Sequence, residues 1–282
     1  MIYRNLFPGG KSRALTLSYD DGVGQDVRLM NILRAHGMKG TFNLDSGKMG
    51  VGGIREDGVE VRRMLPEEVK EAYYGFEVAV HGYTHPFLTL MPKDMVAREV
   101  AKDREELEKL TGYPVRGMAY PYGAYHAELM EQLRAMGIVY ARTANSTGGF
   151  SLPEDFLAWH PTCHHNAPNL DELCERFLNE KSYNPYKVFY LWGHSYEFDA
   201  DRNWEVIERF CEKMAGHEDI WYATNIEIYE YIDASKRLVS SCDGRILYNP
   251  SAMDVWVTKN GSLWAPGEKL CIPAGKVIDC GE

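Results

Sequence analysis

Between residues 13 and 238, short apolar runs alternate with longer stretches of helical period. No other feature constrains the fold as much, because strands separated by helices pair in parallel and are buried on both faces. Ala14-Leu15-Thr16-Leu17-Ser18-Tyr19 reads as a buried strand ending at Asp20; Val27 to Ala35 reads as a helix closed by Gly37, and Gly40 to Leu44 as the next strand. A short helix near Pro66 to Tyr73, a strand over Glu77-Val78-Ala79-Val80 and a charged helix from Lys93 to Leu110 continue the pattern. Further strands are expected near Met118 to Tyr120, Ile138 to Arg142, Lys187 to Trp192 and Ile220 to Ala223, with helices at Glu128 to Met136 and Trp204 to Met214. Asn169 and Thr224 each precede a glutamate by three residues, the spacing of a capping box. These units predict an α/β fold, a distorted (β/α) barrel of about seven repeats, over residues 1–238.

Two stretches fall outside the pattern. The connection holding Gly47, Gly50, Gly52, Gly53 and Gly58 is too long for a tight turn and reads as a binding loop. From Val239 onward, strand-like runs at Arg245 to Tyr248, Asp254 to Val257 and Lys276 to Ile278 predict a small C-terminal β appendage over residues 239–282. Asn260-Gly261 supplies a hairpin signal within it.

The chemically capable residues all follow strands. Asp20 and Asp21, His81 and His85, Tyr122 and His194 would therefore share the rim at the strands' C-terminal ends, where barrels of this type carry their sites. Asp-Asp-Gly alone is a common turn, and two histidines four residues apart are common on surfaces. Together they provide two imidazoles and a carboxylate from Asp21 for one divalent cation, while the neighbouring carboxylate stays free as a base. Three protein ligands with an open position point to metal-assisted hydrolysis. His194, on the same rim, is a candidate general acid.

Bulk properties narrow the partners. The formal net charge is −10 and the pI near 5.4, which argues against nucleic acid or an anionic membrane surface as a partner. No apolar run has the length of a membrane span, and the opening Met1 to Gly10 lacks a signal peptide's apolar segment. A cytoplasmic address is expected for the chain as it stands, and a secreted one if a leader was removed. The six cysteines show no CxxC spacing and are expected to be mostly reduced, with Cys271 and Cys280 the pair best placed to bond.

Thr16-Leu17-Ser18-Tyr19-Asp20-Asp21-Gly22 resembles the first motif of the polysaccharide deacetylase family, carbohydrate esterase family four. His81-Gly82-Tyr83-Thr84-His85-Pro86 resembles its second motif, Tyr120-Pro121-Tyr122-Gly123 part of its third, and Leu191-Trp192-Gly193-His194 its fifth. The resemblance implies a metal-dependent deacetylase of an N- or O-acetylated sugar or oligosaccharide, using zinc or alternatively cobalt or nickel. It implies Asp20 as base, Asp21, His81 and His85 as ligands, the Tyr122 backbone N–H as oxyanion donor and His194 as acid. The arginine that the family places before its Pro-Tyr-Gly is absent, and Arg142, at the end of the next strand, is the expected substitute. Asp155 and Trp159 are candidates for the fourth motif. His164 or His165 would lie against substrate or tune His194. The rival readings are a same-fold amidase acting on a non-sugar amide and an inactive carbohydrate-binding relative. The sequence gives no oligomeric state.

Overall fold

In the computed structural model, which describes residues 3–180, 186–260 and 267–281, eight strands form one parallel sheet curled into a distorted barrel. Around the barrel run Tyr140–Arg142, Gly117–Ala119, Glu77–Val80, Thr41–Leu44, Arg13–Asp20, Lys187–Gly193 and Cys163–His164. Ile220–Tyr222 pairs with the first half of Arg13–Asp20.

A seam closes the ring. Trp159 bridges Arg142 in parallel, with Thr143 N donating to Trp159 O at 3.0 Å. A few residues on, Thr162 N and His165 N donate to Tyr190 O and Trp192 O of the neighbouring strand. The stretch 159–165 thus bonds to one strand with its first residues and to the next with its last.

The central strand explains why the sheet is layered. Its side chains alternate with period two, so Leu15, Leu17 and Tyr19 pack beneath the helices while Thr16 bonds Asn225 and Ser18 and Asp20 both accept from Asn43 of the adjacent strand. Glu77 is buried there and accepts from Thr41 Oγ1 at 2.8 Å, Tyr140 OH at 2.6 Å and Ile226 N at 2.9 Å. The last of these donors lies in the first turn of the helix Asn225–Lys236, where a carboxylate meets the positive end of the helix dipole. That helix opens with the expected capping box between Thr224 and Glu227. Asn169 differs: no side-chain bond from it caps the helix Leu170–Asn179.

The glycine-rich connection is ordered as an antiparallel hairpin of Gly52–Ile54 with Glu60–Arg62. It lies along the residues just past Asp21: Gly24 N donates to Arg62 O at 2.9 Å and Met64 N to Gly22 O at 2.8 Å. Short runs rich in glycine and charge hide such a hairpin from period-based reading.

Beyond the barrel, Val255–Lys259 pairs with Tyr3–Leu6 on one side and Glu268–Ile272 on the other. A second antiparallel sheet contains Val239–Ser240, Ile246–Tyr248 and Val277–Asp279. The expected turn at Asn260-Gly261 runs into residues 261–266, outside the described residues. Tyr231 OH donates to Leu6 O and accepts from Trp256 N at 2.9 Å, tying the last barrel helix to this β layer. All six cysteines are free thiols. Among the described residues no helix is long and apolar enough to cross a membrane.

Candidate active site

Asp20 ends the central strand, and register sets Asn43 beside it on the adjacent strand. Asn43 Nδ2 donates to Asp20 Oδ1 at 2.9 Å, and Arg142 donates to Oδ2. The Arg142 side chain is 1% exposed and that of Asp20 4%, so this is a buried ion pair. Burial pushes the Asp20 carboxyl up, but Arg142, with His81 and His194, more than offsets it and holds the group at about 2. Arg142 also stacks over Trp192, its Cζ 4.4 Å from the ring centroid.

Asp21 breaks from the strand in a left-handed conformation, φ 80°, which turns its carboxylate away from that of Asp20. Its Oδ1 lies 3.2 Å from Arg63 Nη2 and 3.9 Å from His85 Nε2. Arg63, at the base of the hairpin, also donates from Nε to both oxygens of buried Asp45, at 2.8 and 2.9 Å.

Asp21, His81 and His85 offer ligand atoms within 4.8 Å of one another. That is close to the ~4 Å that two bonds of ~2 Å can span. The donor chemistry fits a divalent cation. His81 Nδ1 is 2.9 Å from Ala119 O, which assigns the ring proton to Nδ1 and leaves Nε2 with its lone pair. Burial lowers the proton affinity of both rings, His85 to about 4, so both are neutral, the form in which an imidazole can hold a cation. Asp103, buried on the apolar stripe of the helix Lys93–Thr111, accepts the His81 backbone N–H at 3.0 Å and Ser46 N at 2.8 Å. Tyr122, at φ 59°, sets its ring 4.6 Å from that of His85 and stacks on Phe87 at 3.7 Å.

His194 follows the strand Lys187–Gly193 and faces Asp20 from the other side, Nε2 to Oδ2 3.9 Å. Its partner is Glu197, three residues on. Glu197 Oε2 accepts the His194 backbone N–H at 3.0 Å, and Oε1 lies 3.2 Å from Nδ1, a hydrogen-bond length at a poor angle. His164 Nε2 is 3.1 Å and His165 Nε2 3.4 Å from Glu197 Oε2. His164 Nδ1 accepts from Asn166 N, which leaves its proton on Nε2, facing Glu197. The His164 N–H thus faces Glu197, whereas both ring nitrogens of His165 are buried without a hydrogen-bond partner, and the spacing of the three side chains would also admit a cation. Burial pushes the Glu197 carboxyl up, but His164 and His194 outweigh it and hold Glu197 below the usual range. Burial lowers the proton affinity of His194, and Glu197 with Asp20 raises it above the ordinary value on balance.

The structure thus gathers Asp20, Asp21, His81, His85, Tyr122, Arg142, His164 and His194 on one rim. It does not gather the fourth-motif candidates. Trp159 is buried in the barrel against Tyr140, Phe156 and Tyr190, because its backbone forms the seam. Asp155 pairs with Arg134 and caps Leu157 N, away from His194. Asn43, Arg63 and Asp103 were not among the residues the sequence singled out for the site. Tyr196-Glu197-Phe198, just past His194, reads in sequence as a stretch that closes over the cleft or packs on its rim, and the structure sets Glu197 against His194.

The sequence profile of the polysaccharide deacetylase family matches residues 8–141. Peptidoglycan-N-acetylglucosamine deacetylase PgdA of Listeria monocytogenes is 28% identical over 124 residues, 43% of this chain and 24% of that protein. Peptidoglycan-N-acetylglucosamine deacetylase of Bacillus cereus is 29% identical over 125 residues, 43% of this chain and 41% of that protein. The chain thus spans less than half the length of these curated relatives. A polysaccharide-deacetylase-type crystal structure from Mycobacterium smegmatis shares the fold, with a TM-score of 0.52 at 19% identity, covering 82% of this chain and 93% of that one.

Proposed function

We propose, from the polysaccharide deacetylase profile that matches residues 8–141, that the chain is a metal-dependent hydrolase releasing acetate from an N- or O-acetylated saccharide. The observation carrying this reading is the position of Asp20, clamped by Arg142 and Asn43, between the Asp21, His81, His85 group and His194. A divalent cation held by Asp21, His81 and His85, with zinc the best match to two imidazoles and a carboxylate, would polarise the acyl carbonyl and acidify water.

The chain's own residues account for the proton traffic. Asp20, kept ionised by Arg142, accepts a proton from the attacking water at a carboxylate oxygen. The new C–O bond forms as the acyl carbon becomes tetrahedral. The C–N bond of an amide, or the C–O bond of an ester, then breaks with its electron pair leaving on the sugar. His194 donates from Nε2 to that leaving atom, while Glu197 at Nδ1 stabilises the charged ring before transfer. The Tyr122 backbone N–H, beside His85, is our candidate for the developing oxyanion.

The test is acetate release from N-acetylglucosamine oligomers, acetylated xylan and simple acetylated amino sugars, with zinc, cobalt or nickel, beside Asp20→Asn. Release requiring both metal and Asp20 supports the reading. Silence across the panel with metal bound would sink it in favour of a non-sugar amide or a binding role.

A further inference from the structure

The hairpin Gly52–Ile54 and Glu60–Arg62 ties together two parts of the rim. At its base, Arg63 holds Asp21 at 3.2 Å. At its tip, Arg55 lies over the ring of Tyr196, Cζ 4.6 Å from the centroid, and is itself held by Asp57 at 3.1 Å. Tyr196 packs on His194, ring centroids 5.2 Å apart. The Arg55–Val59 turn closes with an N–H···O bond of 2.9 Å, and Gln25 Nε2 donates to Glu60 O at 2.9 Å, so the hairpin is braced along its length. One continuous element therefore walls the cleft from the metal-ligand side to the His194 side.

The edge beside His85 has the opposite character. Phe87 and Tyr122 lie parallel, 9° apart, and are 45% and 55% exposed. Two stacked, solvent-facing rings next to a reactive group form a surface suited to the apolar face of a pyranose.

Resting on the deacetylase reading, we infer that the cleft is blind at the hairpin and open over Phe87 and Tyr122. The chain would then remove acetyl groups from a terminal residue of a saccharide, whose remaining residues extend across the aromatic pair. An internal residue would have to send chain through the hairpin wall.

The experiment maps which residue of N-acetylglucosamine pentamer loses acetyl first, by tandem mass spectrometry after labelling the reducing end. The wild-type chain is compared with Arg55→Ala and with a variant in which residues 54–60 are replaced by two glycines. Wild type should release acetyl from one terminal residue. The shortened hairpin should raise the internal-to-terminal ratio about tenfold, with Arg55→Ala between the two. Phe87→Ala should lower kcat/KM on the pentamer relative to the dimer by about tenfold. Internal release by wild type, or an unchanged pattern in both hairpin variants, would overturn the inference while leaving the deacetylase reading intact. No acetate from any oligomer would overturn both.

Discussion

Arg142 and Asp20 lie 122 residues apart and meet as a buried ion pair at the centre of the rim. The guanidinium reaches Asp20 from the end of the strand Tyr140–Arg142. The Trp192 ring beneath it helps to fix its position.

Arg142→Ala should therefore cost both activity and stability. Leaving Asp20 buried without its partner should destabilise the fold by about 3–5 kcal/mol. Turnover should fall by about 10²-fold or more, since a displaced base loses its alignment. Arg142→Lys should restore part of the stability and little of the activity, because one ammonium cannot reproduce the planar contact. Denaturant melts and kcat on the same samples check this.

Asp20→Asn should keep the metal and lose at least about 10²-fold in kcat. Metal analysis alongside acetate release separates the two effects; substantial residual turnover would remove Asp20 as the base.

His85→Ala should lower metal affinity by more than about tenfold. Metal content by mass spectrometry reads this directly, and unchanged stoichiometry would mean the ligand set is misassigned.

Glu197→Gln removes the anion beside His194. It should lower the proton affinity of the imidazole, move the basic limb of the pH profile to lower pH, and reduce kcat by roughly 10²-fold with KM little changed. Glu197→Asp should recover part of the loss. A change in KM alone would assign Glu197 to substrate contact.

Glu77 gives a stability prediction with a definite sign. Burial, outweighing its hydrogen bonds to Tyr140, Ile226 and Thr41, raises its carboxyl to about 7 from 4.5. Its contribution is therefore fully present below the unfolded value and declines as pH rises through about 7. Glu77→Gln should flatten the fall in melting temperature between pH 5 and 8, measured by calorimetry.

These assignments divide by how the residues reveal themselves in sequence. Asp20, Asp21, His81, His85 and His194 follow recognisable strands, so the rule that such positions share a rim brought them together. Arg142 was reachable by the same rule, as the end of a strand. Asn43 and Asp103 were not, because their relevance comes from lateral register and helix packing, which no local pattern encodes. Trp159 misled because a seam strand without periodicity resembles a loop. The hairpin misled for a related reason: its strands are only three residues each, and glycine-rich.

The rim is built from two stretches of chain. The matched profile ends at residue 141, one position short of Arg142. Asp21, His81 and His85 lie before that boundary; Arg142, the seam, His194 and the group of His164, His165 and Glu197, whose spacing would also admit a cation, lie after it. The two stretches meet at the Asp20 carboxylate, which takes Arg142 from one and faces His81 from the other.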